Sequence, residues 1–224
     1  MNMGSTERLV VVTDICSSTT IVQNLSNAGK LDAWGDLLSD LARFLDKEQL
    51  NLGFEIYKFQ GDGWIFFFDP KAPTEEFIPF LHQFSNEYLA SFEKRLSNML
   101  SVEVEAGLAF GVDKVGLSNH TMISLTLHQN TEYVGMPLNM AARLQGAIKD
   151  NDKAEGRVLM SASAYQHLKY GIPRNNYRIV KVKRDLRNVA PIPNPIKLYL
   201  YEGPRSEESK TDGLLLSVSP SPGS

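Results

Sequence analysis

The chain has 224 residues, of which 42% are hydrophobic and 22% charged, as is typical of a soluble globular protein with one full core. The net charge of −3 and the scattered basic residues argue against nucleic acid as a partner. We also expect no membrane association, because no stretch reaches the roughly 20 apolar residues of a span and the N-terminus does not resemble a signal peptide. The single cysteine, Cys16, excludes an internal disulfide and favours a cytoplasmic location.

The chain opens with a predicted strand that is followed by helix-start signals. The apolar run Leu9–Ile15 has the length and composition of a buried strand. Hydroxyl residues over Ser17–Thr20 supply N-cap candidates directly after it. Apolar residues then recur at helical spacing and predict a helix, namely Leu37, Leu38, Leu41, Phe44 and Leu45.

The next segment predicts a β-hairpin, a second helix and another strand. Phe54–Phe59 and Trp64–Phe68 are rich in β-forming residues, and the turn Gln60–Gly63 joins them. Apolar residues at helical spacing over 77–96 predict a long amphipathic helix. Apolar and polar residues alternate strictly over 102–110, which predicts a strand there.

The rest of the chain adds further strands and helices. We expect a strand around Ile123–Leu127, a helix opened by Pro137 and running to Ile148, a strand at Arg157–Met160, a short helix at Ala162–Leu168, and late strands near 177–182 and 196–201. The order β-α-β-β-α-β with extra C-terminal elements predicts an α+β fold of the ferredoxin-like type. This fold is a palm whose antiparallel central sheet carries helices on one face. Residues 1–203 form one predicted domain, and 204–224, rich in Ser, Pro, Glu and Gly, form a predicted mobile tail.

Two carboxylates lie where predicted strands end. Asp14 ends the first apolar run, and Asp62 lies in the hairpin turn. Alone, Asp14 is explained by helix capping and Asp62 by turn preference. They are 48 residues apart with one helix between them, which places both on adjacent central strands of a ferredoxin-like sheet. Such a pair can share two Mg²⁺ or Mn²⁺ ions over a nucleoside triphosphate.

A third set of candidate residues opens the later helix. Asn139 and Arg143 are four residues apart and therefore project from one face of that helix. An amide can orient a ribose, and a guanidinium can neutralise a phosphate during transfer. Taken alone, the pair is better explained as a solvated helix surface.

Together the three segments resemble the class III adenylyl and guanylyl cyclase catalytic domain over roughly residues 8–202. Asp14-Ile15 matches the pair that ends the family's first strand, Lys58-x-x-Gly61-Asp62 matches its hairpin, and Gly135-x-x-x-Asn139-x-x-x-Arg143 matches the start of its later helix. Each motif is weak alone, but the three in this order and spacing are specific.

The resemblance implies a phosphorus–oxygen lyase that converts a nucleoside triphosphate to a 3′,5′-cyclic monophosphate and pyrophosphate. Asp14, Asp62 and the Ile15 carbonyl are then expected to bind two divalent metal ions, Mn²⁺ or Mg²⁺. Asn139 is expected to orient the ribose, and Arg143 to stabilise the pentavalent phosphorus. The family builds each site between two antiparallel subunits, so the chain is expected to form a homodimer.

Two further groups are predicted to hold the triphosphate. Backbone N–H groups around Cys16, Ser17, Ser18 and Thr19, at a helix N-terminus, suit an anion. A cationic partner is expected within residues 181–187, although solvated charge explains that basic segment nearly as well.

The resemblance also implies that Lys58 and Glu132 recognise the base. Adenylyl cyclases place a lysine and an aspartate at these positions, and guanylyl cyclases usually place glutamate and cysteine, so this pair argues against GTP. A glutamate reaches about 1–1.5 Å further than an aspartate and leaves less room for a purine. Tyr57 and Tyr133, beside the two base-recognition residues, can narrow the pocket further, unless Tyr57 points into the core. A donor beside an acceptor suits uracil, cytosine or adenine.

Several departures from the family distinguish this chain. Ser17-Ser18 replaces the frequent Gly-Phe, and Met136 replaces a frequent acidic residue. Small free-standing cyclases of this kind resemble the bacterial pyrimidine cyclases of anti-phage defence (Pycsar), which signal to a cyclic-nucleotide-binding effector protein. The sequence therefore favours cyclisation of UTP, or of CTP, with adenylate cyclase as the alternative. A catalytically inactive binding module and a diguanylate cyclase are weaker alternatives, since both aspartates, Asn139 and Arg143 are present and Gln60-Gly61-Asp62-Gly63-Trp64 lacks the diguanylate cyclase signature.

Overall fold

A computed structural model describes residues 7–72, 74–114, 122–127, 130–148, 155–172, 178–184, 186 and 196–202. The elements in chain order are β1 (Leu9–Ile15), α1 (Ser18–Asn27), α2 (Asp32–Leu52), β2 (Glu55–Phe59), β3 (Trp64–Phe68), α3 (Phe77–Arg95), β4 (Leu108–Lys114), β5 (Met122–Leu127), β6 (Asn130–Gly135), α4 (Met136–Gly146), β7 (Glu155–Met160), α5 (Ala162–Leu168), β8 (Arg178–Arg184) and β9 (Ile196–Glu202). The tail predicted over 204–224 lies outside the described residues. Within the described residues, no helix combines the length and apolar content that crossing a membrane requires.

The described strands form a seven-stranded sheet in the order β2-β3-β1-β4-β7-β9-β8 and a separate β5-β6 hairpin. Its first four strands have the ferredoxin-like order, with β1 antiparallel to both β3 and β4. Only the β4–β7 pair among the described strands is parallel. The predicted α+β fold with a mostly antiparallel central sheet is therefore confirmed.

The two faces of the sheet carry different helices. Leu9, Val11 and Ile15 of β1 join the large core under α1, α2 and α3. Val10 and Val12 join a smaller core with Ala141 of α4, because successive strand residues point to opposite faces. The expectation that the helices share one face is thus wrong for α4, which covers the opposite side of β1 and β4.

The strand predicted over 102–110 begins later and ends later than its alternation suggested. In the structure β4 spans Leu108–Lys114, and Val102 is 48% exposed. The reason is the partner strand, since the β1–β4 pairing ends at Ile15 opposite Leu108 and the chain then turns into α1. Residues before Leu108 have no β1 backbone to pair with.

The later predicted elements are confirmed in type, and one strand was missed. Strands β5, β7, β8 and β9 and helices α4 and α5 all occur close to their expected positions. The missed strand is β6, which pairs antiparallel with β5. Both Glu132 and Tyr133 lie on it, so an ordered strand positions these candidate base-recognition residues.

An aromatic cluster supports the hairpin that carries Asp62. Phe66 and Phe68 of β3 contact Phe54 with ring centroids 5.6 and 4.9 Å apart, and Phe80 of α3 lies 4.9 Å from Phe54. Buried aromatic residues contribute large apolar areas and restricted packing geometry. The turn at the end of β2 and β3 therefore projects from a rigid base.

Candidate active site

The two predicted metal-binding aspartates lie beside each other at one end of the sheet. Asp14 is the sixth residue of β1, on the side that faces α4, and Asp62 lies in the turn between β2 and β3. The N–H of Ile15 donates to the backbone carbonyl of Asp62 at 2.9 Å. A direct backbone hydrogen bond therefore links the hairpin turn to the end of β1.

This approach depends on a glycine. A Cβ atom added to Gly63 would lie 1.9 Å from the carbonyl oxygen of Thr13 and 3.0 Å from the Cα of Asp14. The turn itself is closed by the N–H of Gln60, which donates to the carbonyl of Gly63 at 2.8 Å. Only a residue without a side chain lets the turn approach β1 this closely.

Each aspartate accepts a hydrogen bond from a neutral donor that the sequence analysis did not identify. The Ser18 hydroxyl donates to Oδ2 of Asp62 at 2.5 Å, and the amide of Gln145 donates to Oδ2 of Asp14 at 3.1 Å. For Gln145 the sequence does contain a signal, because a polar residue lies among apolar residues on one face of the predicted helix. Gln145 shares the buried side of α4 with three apolar residues: Met140, Ala141 and Leu144.

The donor atoms fit a hard divalent cation. Carboxylate and carbonyl oxygens are the ligands that Mg²⁺ and Mn²⁺ prefer. In the part of the chain that the structure describes, no group of three or more His, Cys, Asp or Glu residues gathers at one point. Asp14, Asp62 and nearby backbone oxygens would be the protein's ligands to such an ion, with the remaining positions open to phosphate oxygens and water.

The predicted triphosphate segment forms the turn from β1 into α1. The N–H of Cys16 donates to the carbonyl of Gly107 at 2.9 Å, so that N–H is already engaged. Ser17 has a positive φ of 57°, and α1 begins at Ser18. First-turn N–H groups lack intrahelical acceptors, so those of Ser18 and Thr19 are the ones best placed for an anion.

Helix α4 carries the candidate ribose and phosphate residues on the side away from Asp14. Asn139 is exposed and Arg143 half-buried. At 3.6 residues per turn, Arg143 and Gln145 are about 160° apart around the helix axis. Because Gln145 contacts Asp14, Arg143 projects from the side of α4 opposite to Asp14 of its own chain.

Close packing fixes the position of α4 on the sheet. A Cβ atom added to Gly111 of β4 would lie 1.9 Å from the carbonyl oxygen of Ala141 and 2.3 Å from the backbone nitrogen of Gln145. The helix backbone therefore rests directly on the strand. The helix has little freedom to shift relative to β1 and β4.

The candidate base-recognition residues lie together in the same chain. The ammonium Nζ of Lys58 on β2 lies 3.2 Å from Oε2 and 3.3 Å from Oε1 of Glu132 on β6. The Tyr57 hydroxyl donates to Oε2 of Glu132 at 2.5 Å and accepts from the N–H of Tyr133 at 2.9 Å. These contacts join two strands that belong to different sheets.

The hydrogen bonds change the proton affinities of Tyr57 and Glu132. The Tyr57 hydroxyl, and after it the Lys58 ammonium, lower the pKa of Glu132 below its ordinary value. Burial, and after it the hydrogen bond to Glu132, raise the pKa of Tyr57. Glu132 is therefore a carboxylate and Tyr57 a neutral phenol at neutral pH.

Three aromatic rings form the wall beside Glu132. Tyr57 stacks on Phe67 with centroids 4.8 Å apart, and Tyr133 meets both rings edge-on at 5.1 and 5.0 Å. The ring of Tyr57 thus packs on the sheet while its hydroxyl points at Glu132. The sequence left open whether Tyr57 borders the base-recognition residues or points into the core. Its hydroxyl does the first and its ring the second.

Two lysines of the basic segment over 181–187 lie far from the aspartates within one chain, whereas Leu186 belongs to a buried cluster that also contains Cys16. Lys181 and Lys183 are exposed on β8, which is four strands from β1 in the sheet order. At about 4.8 Å per strand this separation is about 19 Å. Asp185 and Arg187 lie outside the described residues.

No protein-family model and no curated protein matches the sequence. Solved structures do match the fold. The adenylyl cyclase CyaB from P. aeruginosa matches with a TM-score of 0.65 at 17% identity, over 92% of this chain and 98% of that chain. The guanylyl cyclase Cya2 matches with a TM-score of 0.63 at 12% identity, over 92% and 97%. An adenylate cyclase from Trypanosoma brucei matches with a TM-score of 0.56 at 19% identity, over 87% and 89%. The chain therefore shares the fold of adenylyl and guanylyl cyclase domains.

Proposed function

We propose that this protein is a nucleotide cyclase that converts a nucleoside triphosphate to a 3′,5′-cyclic monophosphate and pyrophosphate. The observation that carries the proposal is the backbone hydrogen bond from Ile15 to Asp62, which holds the turn of Asp62 next to the end of β1 where Asp14 lies. The shared fold with adenylyl and guanylyl cyclases and the presence of Asn139 and Arg143 support it.

We further propose that the working enzyme is a homodimer with two composite sites. The side of α4 that bears Arg143 is opposite to the side that contacts Asp14, at about 160° around the helix. In this proposal the arginine that acts beside Asp14 therefore comes from another subunit. Two-fold symmetry then pairs the aspartates of each subunit with Asn139 and Arg143 of its partner, giving two equal sites.

The mechanism follows from the groups that each subunit supplies. Asp14, Asp62 and the Ile15 carbonyl would hold two divalent ions, which supply activation of the ribose 3′-hydroxyl and charge neutralisation at pyrophosphate when bound. Asn139 orients the ribose, and the N–H groups of Ser18 and Thr19 bind terminal phosphate oxygens. The 3′ oxygen forms a bond to the α-phosphorus as the bond to pyrophosphate breaks, and the hydroxyl proton passes to solvent. Arg143 stabilises the negative charge on the phosphorus oxygens in the transition state.

The preferred substrate in this proposal is a pyrimidine nucleotide, UTP ahead of CTP. Lys58 donates to O4 of uracil and Glu132 accepts from N3–H. With cytosine, Lys58 donates to N3 and Glu132 accepts from the 4-amino group, so the donor and acceptor positions on the ring are exchanged. The Tyr57 hydroxyl lies against the Glu132 carboxylate and its ring packs beside Tyr133, which narrows the space around the base. We therefore expect a pyrimidine to fit better than a purine beside the longer acidic side chain, Glu132, and the aromatic rings next to it.

ATP is the alternative substrate. Adenine presents N1 and its amino group to the same donor and acceptor as cytosine does. A rhodopsin-guanylyl cyclase core described as having converted specificity and binding ATPαS has this fold, with a TM-score of 0.60 at 15% identity. The fold is therefore compatible with different bases, and only the pocket residues separate them.

The proposed biological role is signalling in anti-phage defence. In this role the cyclic pyrimidine nucleotide activates a downstream effector protein that binds it. The proposal draws on the resemblance to bacterial pyrimidine cyclases and on the Lys58–Glu132 pair.

The direct test of the activity uses purified protein with ATP, GTP, CTP or UTP and Mn²⁺, with the cyclic product identified by mass spectrometry. We expect cyclic UMP as the main product. An Asp62→Asn variant keeps an acceptor for Ser18 but loses the charge, so it should lose more than 100-fold in turnover and retain its fold. Asp69→Asn, which alters an aspartate outside the site, should behave as the wild type.

Each outcome of this test has a defined meaning. Faster cyclisation of ATP than of UTP and CTP would refute the pyrimidine assignment and leave the cyclase proposal standing. Full activity of Asp62→Asn would refute the metal assignment. Absence of any cyclic product from all four nucleotides would refute the cyclase proposal.

The defence role is tested in bacteria that carry this gene together with its neighbouring genes. Cyclic UMP should rise after phage infection in cells with the wild-type protein and not in cells with Asp62→Asn. Equal phage titres on the two strains would contradict the defence role.

A further inference from the structure

We propose that Gln145 is a positioning residue that holds the Asp14 carboxylate in the orientation needed to bind a divalent cation. The inference rests on the proposed function, because it assigns a role to a residue next to the metal-binding aspartate. Gln145 does not belong to any of the three sequence motifs that identify the site.

The geometry of Gln145 suits this role. Its side chain is 8% exposed, and its amide donates to Oδ2 of Asp14 at 3.1 Å. The helix beneath it is held by the close approach of Gly111 to Ala141 and Gln145. The donor therefore has a fixed position relative to β1.

The chemistry of an amide suits it as well. A carboxylate has about four acceptor positions, and the hydrogen bond from Gln145 occupies one of them. A neutral donor fixes the rotamer of Asp14 and leaves its negative charge in place. A lysine or arginine donor would cancel that charge. Groups that orient metal ligands in this way typically contribute 10–100-fold to metal affinity.

A purely structural role makes a different prediction. If Gln145 only satisfied its own buried polar atoms, its replacement would change the stability of the protein and leave cation affinity unchanged. Metal affinity, measured separately from turnover and from unfolding, therefore distinguishes the two roles.

The test compares Gln145→Met with Gln23→Met in the full chain. Methionine has nearly the volume of glutamine and no donor, so it removes the hydrogen bond and preserves packing. Gln23 is exposed on α1 and donates to Asn27 at 3.3 Å, away from the aspartates. Mn²⁺ affinity is measured by the electron paramagnetic resonance signal of free Mn²⁺. We expect Gln145→Met to bind Mn²⁺ about tenfold more weakly and Gln23→Met to match the wild type.

Affinity within twofold of the wild type for a folded Gln145→Met would overturn the inference. If that variant does not fold, Gln145→Asn replaces it, since it keeps an amide but withdraws the donor by one methylene. If the wild type binds Mn²⁺ and cyclises nucleotide, and the Gln145 variant binds Mn²⁺ with unchanged affinity, this inference alone is refuted. Wild-type protein that neither binds Mn²⁺ nor cyclises any nucleotide refutes the proposed function and this inference with it.

Discussion

Glu132 shows how a few contacts determine the position and the charge of a single side chain. It is held by a phenol from Tyr57 and an ammonium from Lys58, which come from neighbouring positions on β2. Neighbouring strand residues normally point to opposite faces, but the β2–β3 register shifts between Ile56 and Lys58. The irregularity lets both side chains converge on one carboxylate.

The first prediction concerns the ionisation of Glu132. Its lowered pKa means that these contacts stabilise the fold above about pH 4.3, the ordinary glutamate value, and that this contribution is lost as pH falls through the lower folded-state value. Tyr57→Phe removes the largest cause, so the pKa of Glu132 should rise towards its ordinary value. Carbon NMR titration of the carboxyl group measures it. Tyr170→Phe, at an exposed ring, is the control, and an unchanged Glu132 titration in Tyr57→Phe would contradict the assignment.

The second prediction concerns the positive φ of Ser17. A left-handed backbone costs a residue with a side chain about 1–2 kcal/mol, and glycine avoids this cost. Ser17→Gly should therefore raise the free energy of unfolding by about 0.5 kcal/mol after the entropy that glycine adds to the unfolded chain. Ser26→Gly, in the ordinary helical backbone of α1, should lower it by about 0.5 kcal/mol. Urea denaturation that gives the same sign for both would refute the strain at Ser17.

The packing of elements against one another depends on two glycines that no motif requires for chemistry. Gly63 lets the β2–β3 turn rest on β1, and Gly111 lets α4 rest on β4. Both contacts involve backbone atoms, so neighbouring side chains cannot move aside to make room for a larger residue.

The third prediction follows from Gly63. In Gly63→Ala the new Cβ would meet the Thr13 carbonyl at 1.9 Å, so the turn must move away from β1. We expect a loss of about 1–3 kcal/mol in unfolding free energy and weaker Mn²⁺ binding, since Asp62 moves with the turn. Gly35→Ala, in α2 with open space around it, should instead gain about 0.5–1 kcal/mol. Urea denaturation measures the unfolding free energy of both variants, and a Mn²⁺ titration measures their metal affinity. If Gly63→Ala leaves both quantities unchanged, the contact between Gly63 and Thr13 is not tight.

Most of the helices and strands around the candidate site could be predicted from the sequence, because their local signals are strong. The strand β1, the hairpin and α4 have strong local signals: an apolar run, a Gly-containing turn and an N-terminal proline. The start of β4 could not be predicted because its limit is set by where β1 turns away, which is a tertiary effect. The face occupied by α4 and the contacts of Ser18 and Gln145 likewise depend on packing between distant segments.

At the scale of the whole molecule, the composite-site proposal gives the fourth prediction. Asp14→Ala and Arg143→Ala should each be inactive alone. Mixing them equally should restore about a quarter of wild-type activity, because half of randomly formed dimers are mixed and each has one intact site of two. Activity after mixing and subunit exchange is measured by product formation. No recovery despite proven exchange would contradict the shared site.

The opposite orientations of Arg143 and Gln145 have a consequence for the proposed dimer. In that proposed dimer, α4 would contact Asp14 of one reaction centre and supply Arg143 to the other. Ligand binding at either centre would then act on the same helix, and any coupling between the two centres would be equal in both directions. We expect turnover to depend on nucleotide concentration with a Hill coefficient different from one, and mixed dimers with a single intact centre to return to a simple hyperbola.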